Sequence, residues 1–360
     1  MAIPYVVPGA DYWHQRALRE DAVMDQLATQ AEQNLVGVMH ELNAGMQAAV
    51  DRFIVQYLAG NTEVAYSDLA KTLQPSELKA FKRAINELST SDIPQTQAAN
   101  RIARAARRVN RIDALTSELS QWLNVAAGRT AAEVQNALGN VYDAESTLRA
   151  GAIRGAGVRV SLNSNSAYQL KAVANQRFLS ESFSDRIWSN KDALLQQLAR
   201  NLPQMFIAGA DNGRIVSEIR RVTGVSQSAA SRIVRTEGAR VATQADSDLY
   251  ASSKTRYYIY MATIDSRTSQ ICSEMNGRRL EVSKMESGIT APPLHPNCRS
   301  TTVPDVDTTD IDDITVLEAE EAVAKKYGGI ARPRNAQGVI VVDTPDAISK
   351  RLRSARASKE

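Results

Sequence analysis

Between Gln15 and Leu58 the apolar residues return at every third or fourth position, as Leu27, Ala31, Leu35, Val38, Leu42 and Met46. A stripe of that length and period predicts an α-helix and excludes a strand, whose apolar positions alternate. It also demands further stripes to bury against. The chain supplies them. "LQPSELKAFKRAINEL" opens a helix with Pro75 in its first turn and Glu77 close behind. "TQAANRIARAARRVNRIDALTSELSQWLNVAA", residues 96–127, predicts one long helix with Ile102, Ala105, Val109, Ile112 and Leu115 on one face. Gly60, Asn61 and Pro94 mark the breaks between them. Antiparallel packing of such helices buries all the stripes at once.

The expected architecture is mainly α, with a long-helix N-terminal region over 1–184 and a small α+β C-terminal module over 185–304. The module begins with shorter helices separated by turns at "NLPQ", "GADNG" and "TGVS". "TRYYIYMATID" is then aromatic and β-branched, and "RRLEVSK" and "CRSTTVP" follow as two further strands. Together they predict a short antiparallel β element with two chemically dense loops. Residues 305–360, acidic and then basic, read as a flexible arm or a short docking helix.

A formal net charge of +3 leaves any contact with nucleic acid to a local patch. The amino terminus lacks a basic region followed by an apolar one, so no signal peptide is expected. No stretch approaches the ~20 apolar residues of a membrane span. The best basic patch is Arg101, Arg104, Arg107, Arg108 and Arg111, which would suit sequence-independent contact with a DNA backbone or an acidic partner. A solvated or interhelical face is the alternative.

Both cysteines, Cys272 and Cys298, and one of three histidines, His295, fall within some thirty residues. His-x-x-Cys is ligand spacing, and Asp265 could supply a fourth, oxygen ligand to a structural zinc. Ser269 stands where a cysteine would complete Cys-x-x-Cys. The alternative is a buried thiol pair with a hydrogen-bonded His295. Nucleophilic or nuclease chemistry at Cys298 and His295 lacks a second histidine, an anion cradle and paired carboxylates in this segment. In "RIVRTEGAR", alternating signs predict an internal ion-pair latch, with Arg235 or Glu237 reaching Asp265 or Arg267.

Taken in order, Arg235, Thr236 and Glu237, then Asp265, Arg267, Thr268 and Cys272, then Gly277, then Pro292, Pro293, His295, Pro296, Cys298 and Arg299 resemble the phage Mu F-like head-morphogenesis family. Tyr12, Trp13 and Arg16 resemble the amino-terminal opening of the same proteins. The resemblance covers about 185–304, is thin over 1–184 and is absent from the tail. It implies a non-enzymatic, low-copy minor head protein of a tailed phage, assembled in the host cytoplasm and carried in the virion. It also implies the portal protein, the major capsid or scaffolding protein, and packaged DNA as partners. Some members carry additional cysteines where this chain has Ser269 and Ser300. The expected role of the Pro-braced loop is a structural clasp, metal-assisted or not, closing His295, Cys298 and Arg299 onto the 265–272 loop. The rival expectations are a metal-dependent nuclease built on His295 and a plain DNA-binding module.

Overall fold

A computed structural model describes residues 10–58, 65–88, 97, 108–161, 167–333 and 341–359. Among these residues the chain forms ten α-helices and five short strands. No helix among them is long and apolar enough to cross a membrane. Two compact units emerge, one from 32–133 and 183–231, the other from 1–31, 134–182 and 232–360. Three long helices, α1 (Ala10–Phe53), α4 (Arg111–Gly155) and α7 (Asn212–Ser252), each give a segment to both units.

The first unit is wholly helical in its described part. The stripe of α1 buries Leu42, Met46 and Phe53 with Leu115, Leu119 and Leu123 of α4. A further helix, α6 (Phe183–Ile207), adds Leu194, Leu198 and Leu202 to the same core. Phe53 and Phe206 stack with ring centroids 5.2 Å apart. Gly45 lies against the face of the Trp122 indole, and any side chain there would collide with the ring. Two small helices, α2 (Tyr66–Leu69) and α3 (Pro75–Leu88), complete the described part, and Glu77 accepts the Gln74 N–H at the start of α3, 2.6 Å away.

Three sequence expectations change here. The predicted long helix over 96–127 does not run through 108–110. Asn110 instead caps α4, accepting the Asp113 N–H at 2.7 Å, and the preceding residues bond to 71–73. The predicted turn at "NLPQ" lies inside α6, where Leu202 and Phe206 are both buried on one face around Pro203. The predicted turn at "TGVS" lies inside α7. There Val222 is buried and the Thr223 hydroxyl donates to Asn43 Oδ1 at 2.7 Å, so packing overrides the local preference of Gly224.

The second unit holds the β element. β1 (Tyr257–Met261) is the central strand, antiparallel to β2 (Arg279–Glu281) and β3 (Thr301–Pro304). Tyr258 pairs with Leu280 on one side and Pro304 on the other. Its buried face meets Trp13 and Ala17 of α1, Ile153 of α4 and Tyr250 of α7. A short helix, α5 (Ala167–Ala174), also belongs to this unit.

Where the sequence predicts a flexible arm, the structure has α9 (Asp313–Tyr327), a ribbon of β4 (Ile330–Ala331) and β5 (Val342–Asp343), and α10 (Pro345–Ala357). Val316, Val323, Ile348 and Leu352 are buried between the two helices and their surroundings. The opposite-sign blocks satisfy each other, as Glu318 with Arg356 and Asp312 with Lys359 show. Gly151 of α4 lets α9 come so close that a side chain there would strike Ala319.

Candidate functional site: a Cys–His–Arg clasp on the central strand

β1 delivers Tyr260 to a small apolar pocket with Ala262, Cys272 and Cys298. The chain then turns back through α8 (Gln270–Met275), whose first turn carries Cys272. Ser269 sets that turn, its hydroxyl accepting the Cys272 N–H at 3.3 Å. At the far end Asn276 Oδ1 accepts the Ala262 N–H at 2.9 Å, and the Gly277 N–H donates to Tyr260 O at 2.8 Å. Gly277 has φ +76°, a left-handed conformation that favours glycine.

The second loop returns through 292–300. The Cys298 N–H donates to His295 O at 3.2 Å, and Asn297, with φ +58°, donates its N–H to Thr236 Oγ1 at 3.1 Å. Thr236 on α7 therefore positions the His–Cys turn directly. Pro293 follows Pro292 through a cis bond at the mouth of this loop. The His295 Nδ1–H donates to Pro296 O at 2.9 Å, which in the neutral ring leaves the Nε2 lone pair facing Cys272 Sγ, 3.2 Å away. The two sulfurs are 3.7 Å apart. Burial pushes the Cys272 thiol up, but hydrogen bonds with Ser269, Ser300, Tyr260 and Cys298 outweigh it and bring the group down to about 7. Burial holds the Cys298 thiol above its ordinary value.

Asp265 does not join this trio. Both its oxygens take the Arg299 guanidinium, at 2.7 and 2.8 Å, and Oδ1 also accepts the Arg267 N–H at 2.8 Å. Those hydrogen bonds, Arg299 first, hold its carboxyl well below the usual carboxylate range. The expected oxygen ligand is thus a salt-bridge partner, because the forked guanidinium of the segment entering the neighbouring strand β3 matches both carboxylate oxygens at once. The metal-ligating atoms that do converge belong to Cys272, His295 and Cys298, all within 4.8 Å of one another.

The expected latch also has different partners. Arg235 pairs with Asp25 of α1 at 2.7 Å. Glu237 is fully buried and pairs with Arg240 at 2.6 Å. Arg240 in turn donates to the carbonyls of Val173 and Ala174, closing the C-terminal end of α5. Asp21, one turn before Asp25, has its carboxyl pushed up to about 6, chiefly by burial and against the pull of Arg299. The sequence sets Asp21 and Asp25 apart in only one respect. Their spacing of four on a helix was the available signal.

Of the basic patch, Arg101, Arg104 and Arg107 lie outside the described residues. Arg108 is exposed just before α4. Arg111 turns onto the Tyr57 ring, 4.6 Å from its centroid, and so serves packing.

The largest polar feature of this unit was not read from the sequence at all. Arg149 of α4 is completely buried and meets Glu20, Glu145 and Asp246 at 2.6, 3.1 and 2.9 Å. The second oxygen of Asp246 accepts the Thr302 hydroxyl at 2.6 Å, which ties the cluster to β3.

Residues 196–303 match the family model described as Phage Mu protein F like protein. No curated protein and no solved structure matches the chain. The matched segment contains every clasp residue, from Thr236 to Arg299, and none of the Arg149 cluster except Asp246 and Thr302.

Proposed function

We propose that this chain is a head-morphogenesis component of a tailed phage, a minor head protein that acts at the portal vertex and is carried in the virion. The observation that supports this reading is that the family match over 196–303 coincides with the clasp. Within it, Thr236 bonds to Asn297, Asp265 to Arg299, and Cys272 to His295 and Cys298, so each group is already matched inside the motif. Such a closed constellation suits a rigid assembly module. A nuclease centre would also need a free general base beside the attacking water, and Asp265, the carboxylate of this loop pair, is committed to Arg299. In this reading the partners are the portal protein, the major capsid or scaffolding protein, and packaged DNA contacted without sequence preference.

The test is native mass spectrometry of the full chain co-expressed with the portal protein of its own genome. A complex of defined stoichiometry is the expected result. A chain that runs free of portal at all concentrations tried overturns the portal-vertex reading.

A further inference from the structure

We propose that Cys272, His295 and Cys298 are three ligands of a zinc ion whose fourth ligand is an oxygen. The inference rests on the reading of the two loops as a clasp, and it names what draws the clasp shut.

Two of the three edges between these atoms are close to those of a tetrahedral site, and the third is no longer than 4.8 Å. Two Zn–S bonds of ~2.3 Å opened at the tetrahedral angle place their sulfurs ~3.8 Å apart. Cys272 and Cys298 hold theirs at 3.7 Å. The Cys272 Sγ–His295 Nε2 distance of 3.2 Å is a few tenths below the corresponding S–N edge of ~3.6 Å. A small outward movement of one side chain admits the ion.

The imidazole is prepared as a ligand in the way metal-binding histidines are. Its Nδ1–H is spent on Pro296 O, so the nitrogen aimed at the thiols is the one with a free lone pair. Each ligand is also fixed from a different direction. Ser269 caps the turn that carries Cys272, Thr236 holds the Asn297 backbone between His295 and Cys298, and Asp265 grips Arg299 immediately after Cys298. Two thiolates and an imidazole select a soft or borderline cation over magnesium or calcium, and a tetrahedral set with a nitrogen favours zinc.

The fourth position belongs to an oxygen. Asp265 is taken, whereas the Tyr260 hydroxyl stands 3.2 Å from Cys272 Sγ and 4.0 Å from Cys298 Sγ. The Ser269 hydroxyl, which accepts the Cys272 N–H, lies on the same turn. Either a hydroxyl or a water held by these groups completes the shell. Binding releases the two thiol protons, so zinc enters as a dication bound to two thiolates, and the site becomes neutral. The energetic case is that Tyr260, Ala262, Cys272 and Cys298 make a very small apolar cluster. A cation shared by both loops adds the cohesion that so few buried side chains cannot.

The experiment uses the full chain, purified without zinc under a phosphine reductant and titrated with Co²⁺ and then Zn²⁺. The expected result is one cobalt per chain with a tetrahedral ligand-field band and a thiolate charge-transfer band, both bleached by zinc. Cys298→Ser and His295→Ala should each weaken cobalt binding by about tenfold or more. Ser269→Cys adds a thiolate beside Cys272 and should tighten binding and strengthen the charge-transfer band. A folded, fully reduced chain without the tetrahedral spectrum overturns the proposal, as does a Ser269→Cys chain whose spectrum and affinity equal those of the parent. Neither readout depends on portal, so the head-assembly reading stands or falls separately.

Discussion

Arg19 and Glu20 are consecutive residues of α1, and each enters a buried charge cluster of opposite stoichiometry. Glu20 joins Glu145 and Asp246 around a single arginine, Arg149. Arg19 joins Arg16, Arg332 and Arg351 around two carboxylates, Glu320 and Asp343. The first cluster knits α1, α4, α7 and β3 together. The second holds α9, the β4–β5 ribbon and α10 to α1. One cluster has too few cations and the other has a surplus, and that difference fixes how each responds to mutation and to pH. In the first, the lone guanidinium is irreplaceable and the excess carboxylates must keep protons. In the second, every carboxylate is over-matched, and the outer arginines share the task.

The sharpest way to break the comparison is Arg149→Met. It strands three carboxylates in a site with no access to water, a loss of about 3–5 kcal/mol if they stay ionised. Urea unfolding followed by circular dichroism should show a large fall in midpoint or a chain that no longer folds. Adding Glu145→Gln and Asp246→Asn to Arg149→Met should recover part of the loss, because the charge left behind is then removed. A triple variant no more stable than Arg149→Met alone would show that packing, not charge, makes Arg149 indispensable.

The pH dependence is the next largest effect, and it has opposite sign in the two clusters. Burial pushes the Glu20 carboxyl up to about 7 and Glu145 well above its ordinary value, with Arg149 opposing both. A folded-state value above the unfolded one gives stability that is complete below about 4.5 and is lost as pH rises through about 7. At Asp343 burial also pushes upward, but hydrogen bonds from Arg332 and Arg19 outweigh it and hold the group well below the usual range. Its contribution is present above about 4 and is lost as pH falls below that. Melting temperature should therefore fall from pH 5 to pH 8, and Glu20→Gln should flatten that fall. Hydrogen-exchange protection factors in 313–327 and 345–357, corrected for the intrinsic rate at each pH, should fall as pH drops below about 4. A Glu20→Gln chain with an unchanged pH slope would sink the assignment.

These clusters also show what the sequence could and could not disclose. The α1 stripe was legible because helical period and burial coincide at Leu35, Leu42 and Met46. The Cys–His spacing was legible because it lies in one short loop pair, whereas Gly277 and Arg299 stood out only through the resemblance. Asp265, expected as a ligand or a latch partner, pairs with Arg299 instead. Arg149 was not legible, since two of its three carboxylate partners are 97 and 129 residues away and nothing in "STLRAGAIRG" separates a buried arginine from a solvated one. Charged residues are so seldom fully buried that surface is the default reading. The same default concealed the docking of the tail. Its acidic and basic blocks look like a flexible arm until Arg16 and Arg19, three hundred residues earlier, are placed beside Glu320.

The smallest effect is the most discriminating for the idea of a surplus. Arg19 is buried and touches both carboxylates, so Arg19→Gln should loosen the tail by about 1.5–3 kcal/mol, the worth of buried charge-assisted hydrogen bonds. Arg332 contacts the same Asp343 at 2.6 Å, but half its side chain is in water. With Arg19 and Arg351 still in place, Arg332→Ala should cost no more than about 1 kcal/mol. Limited proteolysis of the 341–359 segment reads both variants on one scale. Equal release by the two would mean that Asp343 needs all its arginines, and the contrast with the lone Arg149 would disappear. Release by Arg19→Gln alone keeps it, because only a cluster with cations to spare can lose an exposed one and hold its carboxylates in place.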